Sequence, residues 1–127
     1  MCVIVVTGGR DHDDEEFVHE ALSSLPFEIT RLVHGNARGV DTFAKTWAEL
    51  MDIEATAYPA DWDAHGPAAG PLRNEEMIEK EPDIMFCIAF DGGTGTNDMV
   101  RRCRKAGIER IFFNKPITME ESIANWG

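Results

Sequence analysis

The sequence predicts an α/β fold: a doubly wound, three-layer sandwich with a mainly parallel five-stranded sheet. Two observations lead to this prediction. Short apolar, β-branched runs alternate with longer segments whose apolar residues recur at helical spacing, the pattern of strand–helix–strand units in a parallel sheet. In addition, three of the apolar runs stop at a glycine-rich segment that precedes a helical pattern.

The first half of the chain contains three predicted strands and two predicted helices. The strands are at residues 2–7, 31–34 and 53–58, and the helices at residues 13–25 and 41–51. The first strand is a continuous β-branched run, as expected where both faces of a sheet are covered. Both helices begin with acidic residues, and Asp13 or Asp14 is available as the N-cap of the first one.

The second half begins with a predicted loop at residues 59–70. It continues with a helix at 72–79, a very apolar strand at 83–90, a helix at 96–106 and a last strand at 110–114. Gly107 follows a lysine-containing last turn and fits a helix C-terminus. We predict one domain over residues 1–114. A C-terminal segment at 115–127 is expected to pack on that domain or at a subunit interface.

The charge of the chain limits its partners. Its 127 residues carry a formal net charge of −11, which argues against binding to a nucleic acid backbone, because that binding depends on lysine and arginine. A basic run at residues 101–105 fits either an exposed helix face or a phosphate contact. The three cysteines form no CxxC pair, and no apolar run is long enough to cross a membrane. We therefore expect a cytoplasmic protein with no membrane partner.

The glycine-rich junctions are the main functional signal. They are residues 7–10, 34–39 and 91–96, each after a predicted strand. Glycine lets the backbone approach a ligand closely, and a helix that starts there directs free N–H groups at an anion. Because the carboxyl ends of parallel strands form the ligand-binding edge of such sheets, the junctions predict a phosphate or nucleotide pocket. Neither GxGxxG nor GxxxxGK[ST] occurs, which argues against a dinucleotide or ATPase site.

Individual side chains at these junctions have more than one interpretation. In the third junction, Gly92, Gly93 and Gly95 would present N–H groups to a phosphate, and Thr94 and Thr96 would add hydroxyls. Alternatively, this segment is only a tight turn with Thr96 as the helix N-cap. Arg10 and Arg38 each follow a glycine turn, where a guanidinium can clamp an anion or instead pair with Asp11 and Asp41.

The segment around Trp62 is rich in side chains that suit a nucleoside. Trp62 would stack on a base while Asp61 or Asp63 binds ribose hydroxyls. The spacing of Asp61, Asp63 and His65 is not that of a metal site, and we predict neither a metal nor a cofactor. His34 ends a strand at the expected pocket rim, where it would bond a ligand or serve the structure.

Several motifs together resemble the SLOG superfamily, and its YspA-like branch in particular. They are Val6-Thr7-Gly8-Gly9-Arg10, His34-Gly35-x-Ala37-Arg38-Gly39-x-Asp41, Tyr58-Pro59-Ala60-Asp61-Trp62 with Gly70-Pro71-x-Arg73-Asn74-x-x-Met77, and Gly92-Gly93-x-Gly95-Thr96-x-Asp98-Met99. The resemblance covers residues 2–114 and implies a Rossmann-like fold with a nucleotide-derived ligand. It adds Gly8, Gly9, Gly35, Arg73 and Asn74 to the expected ligand-binding residues.

The superfamily includes phosphoribohydrolases of the Lonely-guy type, DprA-like DNA-binding proteins and sensors of nucleotide signals. In the hydrolases of this superfamily, which the chain resembles in part, the signature is PGGxGTxxE. Its glutamate and an upstream arginine carry out catalysis. Here Asp91 replaces the proline and Met99 replaces the glutamate, while Arg73 resembles the upstream arginine. Methionine cannot act as an acid or a base, and Asp98 is one residue away, a rotation of about 100° on a helix.

Three functions follow from these sequence patterns. The first is a sensing or sequestering module that binds a nucleoside phosphate or an ADP-ribose-like molecule. The alternative is an N-glycosidic bond hydrolase in which Arg73 holds the phosphate and Asp98 or Asp91 stabilises positive charge on the ribose. The acidity of the chain disfavours the third, DNA binding. Relatives pair through helices beside the pocket, so the resemblance also implies a homodimer or larger homo-oligomer.

Overall fold

The computed structural model describes residues 2–114, which form five strands, five α-helices and one 3₁₀ turn. The strands are β1 Cys2–Thr7, β2 Ile29–His34, β3 Glu54–Ala57, β4 Ile84–Phe90 and β5 Glu109–Phe113. The helices are α1 Glu15–Ser23, α2 Val40–Leu50, α3 Trp62–His65, α4 Ala69–Lys80 and α5 Thr94–Lys105, with the 3₁₀ turn at Gly66–Ala68.

The sheet has the strand order β3-β2-β1-β4-β5, and every neighbouring pair is parallel. The chain moves outward from β1 to β3, then returns to the other side of β1 for β4 and β5. Helices α1 and α2 pack together, and α4 packs against α5. The predicted doubly wound α/β fold is confirmed. The connections after β1 and β4 diverge, and it is at such a point that open α/β sheets generally bind their ligands.

Two buried clusters cover the two faces of the sheet. Ile4 and Val6 of β1 belong to the cluster that includes α1 and α2, whereas Val5 belongs to the cluster that includes α4 and α5. Alternate side chains of a strand point to opposite faces, so the continuous apolar run of β1 reflects burial on both sides. Cys2, Cys87 and Cys103 are all buried and free.

Most element boundaries differ from the sequence prediction by one or two residues, and three of the differences have a clear description. Strand β2 begins two residues earlier, at Ile29. The predicted loop at 59–70 contains α3, the 3₁₀ turn and the start of α4, because Asp61 caps α3 by accepting a hydrogen bond from the Ala64 N–H at 3.1 Å. Helix α5 begins at Thr94 with Gly93 as its N-cap, so the alternative in which Thr96 is the N-cap is wrong.

Other local predictions are confirmed by the structure. Asp14 is the N-cap of α1 and accepts a hydrogen bond from the Phe17 N–H at 3.1 Å. Gly107 follows α5 with a φ of 76°, the left-handed conformation expected after a helix. Within residues 2–114, no helix combines the length and apolar character needed to span a bilayer. The predicted C-terminal segment, 115–127, lies outside the described residues.

Candidate functional site

A cavity of about 1070 Å³ lies at the carboxyl end of the sheet, where β1 and β4 lead into their glycine junctions. Its size is at the upper end of the range for small-molecule sites. The lining includes most of the predicted ligand-binding residues: Gly8, Gly9, Arg10, Gly35, Trp62, Arg73, Asn74, Gly92, Gly93, Thr94, Gly95 and Thr96. All three glycine junctions therefore contribute to one concave surface.

The junctions are joined through direct backbone contacts. The Gly9 N–H donates a hydrogen bond to the Asp91 carbonyl at 2.7 Å, and the Gly9 carbonyl accepts one from the Val40 N–H at 3.3 Å. A Cβ atom at Gly92 would lie 2.9 Å from the Gly9 nitrogen. These approaches need glycine on both sides of the contact. They also mean that the Gly9 N–H is already bonded and does not face a ligand.

The second junction is filled by a carboxylate of the protein itself. Oδ2 of Asp41, at the start of α2, accepts hydrogen bonds from the N–H groups of Gly35 at 3.1 Å and Ala37 at 3.2 Å. Asp41 is 6% exposed. It occupies the place that an anion would take in an open loop of this kind. The expectation that the second junction offers free N–H groups to a ligand is therefore wrong for Gly35.

Burial raises the pKa of Asp41 to about 6, against the opposing effects of its two backbone bonds and of Arg73 and Arg10. A buried carboxyl with a raised pKa folds more favourably when protonated, so its contribution to stability is greatest below about pH 4 and declines as the pH rises towards 6. We expect the wild type to lose about 3 kcal/mol of unfolding free energy between pH 3 and pH 7 relative to an Asp41→Asn variant.

Urea unfolding at several pH values measures this difference. The amide oxygen of asparagine accepts the same two N–H bonds without titrating, which isolates the carboxyl. Asp63→Asn, an exposed position on α3, is the matched control. A difference between wild type and Asp41→Asn that stays constant with pH would contradict the assignment of Asp41 as a buried, titrating group.

The third junction, in contrast, is open. The N-cap of α5 is Gly93, which has no side chain that could cap the N–H groups of the first turn. Thr94, Gly95 and Thr96, which carry those groups, all line the cavity. The first N–H groups of a helix have no partner within the helix, and the helix dipole adds partial positive charge. The start of α5 is therefore the part of this cavity whose chemistry suits an anion.

Arg73 and Asn74 of α4 connect the junctions across the cavity. Nη1 of Arg73 donates hydrogen bonds to the carbonyls of Gly35 and Tyr58, and its Nε donates to Oδ1 of Asn74 at 2.9 Å. The Asn74 amide in turn donates to the Gly95 carbonyl at 3.3 Å. Partial burial lowers the pKa of Arg73, while Asp41 raises it. Its charge is thus held at the cavity wall between the second and third junctions.

Asp98, the candidate catalytic carboxylate, is fully engaged. Its Oδ2 accepts bonds from the Asn74 amide at 3.0 Å and from Arg102 Nε at 2.8 Å, and its Oδ1 accepts one from Arg101 at 2.8 Å. Although burial raises the pKa of Asp98, these hydrogen bonds and charges prevail and lower it. The negative charge of Asp98 is balanced by the two arginines, and its hydrogen bond to Asn74 links α5 to α4. Met99, beside it, is 1% exposed and packs in the apolar cluster.

The remaining predicted residues are placed around the main cavity or outside it. The guanidinium of Arg10 stacks over the Trp62 ring at 4.7 Å, so one face of that ring is covered by a cation. Arg38 lines only a smaller neighbouring cavity and pairs with Asp11 at 3.0 Å. Asp61 lines none of the three described cavities, because it caps α3.

His34 has a structural role. It is 1% exposed and accepts a hydrogen bond from the Asn36 N–H at 3.0 Å. Burial lowers the pKa of His34 to about 4, so it is neutral at pH 7. Within residues 2–114, no group of three or more potential metal ligands comes together.

Sequence reasoning missed the role of Asp41, and it left Arg101 open between an exposed helix face and a phosphate contact. Asp41 was interpreted only as a helix-start acid or an arginine partner, although it lies six residues after Gly35 in the same motif. That spacing lets the first turn of α2 return to the loop, which is the signal that was available. Arg101 lines the cavity two turns into α5, and only the helix register reveals this.

Comparisons with known proteins identify a matching family model, a similar phage protein and a solved structure with a similar fold. A model of the YspA, cpYpsA-related SLOG family (YAcAr) matches residues 2–65. Gene 61 protein of Mycobacterium phage D29 is 38% identical over 125 residues, covering 89% of this chain and 98% of that protein. The X-ray structure of DNA processing protein A (DprA) from Streptococcus pneumoniae matches with a TM-score of 0.69 and 18% identity over 98% of this chain. The chain spans 54% of the DprA chain, and the likeness shows the fold alone.

Proposed function

Since this chain belongs to the YspA, cpYpsA-related SLOG family, whose membership suggests a nucleotide-related role, we propose that its main cavity binds a nucleotide or a nucleotide-derived small molecule. The ligand is a nucleoside phosphate or an ADP-ribose-like compound, held without being consumed. The protein acts as a sensor or a sequestering module for that ligand.

The open start of α5 is the observation that carries this proposal. Of the three glycine junctions, the first has its Gly9 N–H bonded to Asp91 and the second is filled by Asp41. At the third, Thr94, Gly95 and Thr96 form the first turn of α5 and line a cavity of about 1070 Å³. A phosphate placed there receives the N–H donors of that turn and the helix dipole. Arg73, whose Nε and Nη1 are already bonded, supplies Nη2 as a further donor.

The side chains around the start of α5 favour binding over hydrolysis. A hydrolase of this kind needs a carboxylate to stabilise positive charge on the ribose, and Met99 stands where the hydrolases have their glutamate. Asp98 is paired with Arg101 and Arg102, which cancels the negative charge that the alternative mechanism requires. The alternative, with Arg73 and Asp98 or Asp91 as catalytic residues, is therefore the weaker proposal.

Calorimetric titration followed by chromatography distinguishes the two functions. The probes are the common nucleoside 5′-monophosphates, ADP-ribose and NAD. We expect saturable binding of at least one probe and no free base after prolonged incubation. Free base above a no-protein control, absent with Arg73→Ala, would establish hydrolysis. Absence of binding by every probe would contradict a nucleotide-binding function.

A Gly95→Ala variant should separate stability from binding. No atom lies within 4 Å of a Cβ built on Gly95, so alanine fits, and its better helix propensity raises the unfolding free energy by up to about 1 kcal/mol. The same methyl group crowds a phosphate at the start of α5. We expect nucleotide affinity to fall by about tenfold, the effect of losing one charge-assisted hydrogen bond. Unchanged affinity in a correctly folded variant would exclude this phosphate position.

Two further expectations complete the proposal. A formal net charge of −11 makes bare DNA an unfavourable partner, and a gel shift at low salt tests this. Self-association into a homodimer or larger assembly is measured by light scattering of the purified protein.

A further inference from the structure

We propose that the smaller cavity beside the main one binds a second phosphate group, so that the ligand is a nucleotide with two phosphate groups apart from each other. This inference rests on the proposed function, which places the first phosphate of the ligand at the start of α5. It concerns a cavity of about 380 Å³ that shares its Arg10–Trp62 wall and Arg73 with the main cavity.

The charge of this second cavity is opposite to that of the chain. Among residues 2–114, nine line this cavity; three of the nine are arginines, Arg10, Arg38 and Arg73, and none of the nine is acidic. The chain as a whole has 12 basic and 23 acidic residues, and the main cavity is lined by more aspartates than arginines. Asp11 pairs with Arg38, and Asp41 acts on Arg73 from outside this cavity, but an anion between three guanidiniums would still relieve their mutual repulsion. Arg10 indeed lowers the pKa of Arg73.

The three guanidiniums differ in how firmly they are held. Arg73 is fixed by its bonds to the Gly35 and Tyr58 carbonyls, and Arg10 is oriented by its stack on Trp62. Arg38 is bonded only to Asp11, in a pair whose side chains are 76% and 92% exposed. Such surface pairs contribute little to stability. Arg38 can therefore leave Asp11 and close on a phosphate between the other two arginines.

The shared wall sets the class of ligand. Arg10, Trp62 and Arg73 line both cavities, so a single molecule that passes this wall reaches both. One phosphate lies at the start of α5, and the second lies between Arg10, Arg38 and Arg73. A nucleoside bisphosphate with phosphates on two different ribose oxygens has this arrangement, whereas a nucleoside 5′-monophosphate fills only the first position.

Titration with inorganic phosphate, followed by NMR, tests the second position without any nucleotide. The signals observed are the backbone amides of Thr94, Gly95 and Thr96 and the side-chain Nε–H groups of Arg10 and Arg38. We expect both sets to shift and saturate. A shift of the backbone amides alone would overturn the second site and leave the proposed function intact. A shift of the arginine signals alone would support the second site and contradict the phosphate position at α5.

Paired ligands then test the class of ligand. We expect adenosine 3′,5′-bisphosphate to bind at least about tenfold more tightly than adenosine 5′-monophosphate, the gain from one charge-assisted contact. Arg38→Gln should abolish that gain and leave the affinity for the monophosphate unchanged. Arg104→Gln, an exposed arginine of α5 outside the described cavities, controls for net charge. Equal affinities for the two ligands, or a gain that survives Arg38→Gln, would overturn the two-phosphate class.

Discussion

Replacing Gly39 with alanine should lower the free energy of unfolding by about 3–4 kcal/mol and abolish nucleotide binding. Gly39 has φ 76° and ψ −128°, a combination that side-chain-bearing residues rarely adopt. A Cβ atom there would also collide with the Gly9 carbonyl oxygen and lie 2.7 Å from the Arg10 carbonyl oxygen. Both obstacles are backbone atoms, so no side-chain rotation relieves the contact.

The loss should extend to binding because the collision occurs where two junctions meet. The Gly9 carbonyl, which the new methyl group would displace, accepts the Val40 N–H at the start of α2. Next to it, the Gly9 N–H is bonded to Asp91, at the entrance to the third junction. A displaced Gly9 therefore shifts the start of α5. Chemical denaturation and calorimetric titration measure the two effects.

Gly107→Ala is the matched control for the conformational part of this effect. Gly107 has the same φ of 76°, but nothing lies within 4 Å of its Cβ position. We expect a cost of about 1 kcal/mol, from the left-handed conformation alone, with nucleotide affinity unchanged. If the two variants were equally destabilised, the close approach of Gly39 to the first junction would not be the cause.

Replacing Arg73 with lysine should reduce nucleotide affinity by about 100-fold and the unfolding free energy by about 2 kcal/mol. Lysine keeps the charge but has one donor group in place of the planar fork. It cannot bond at once to the Gly35 carbonyl, the Tyr58 carbonyl and Asn74, as Arg73 does. The variant then loses the hydrogen bonds that link the second and third junctions, and it also loses the Nη2 donor to the ligand.

Arg31→Lys controls for the loss of a partly buried guanidinium elsewhere. Arg31 bonds to Thr56 at 3.1 Å and to the buried Glu81 at 2.9 Å, and it lines none of the three described cavities. We expect a similar loss of stability with affinity within about twofold of the wild type. Should both variants lose affinity equally, the role of Arg73 would be general stability and not contact with the ligand.

The sequence predicted the features that depend on neighbours along the chain. Alternation of β-branched and helical segments predicted the parallel five-stranded sheet, and Asp14 and Gly107 were identified at helix ends from residue type alone. The boundary of α5 was missed by two residues, because Gly93 as N-cap has no side chain to reveal it. The three glycine junctions were recognised as one potential pocket from their positions after strands.

The sequence alone thus determined the fold and the edge of the sheet where the cavity lies, because hydrophobic periodicity and glycine are local signals. Only the tertiary structure decided which junction is open. The Gly9 N–H is bonded to Asp91, more than eighty residues later in the chain, and the Asp41 carboxylate occupies the second loop. Whether an N–H group is free depends on partners brought together by the packing of distant segments, and residue types do not encode that directly. The same packing placed Arg10 and Arg73 in the wall between two cavities.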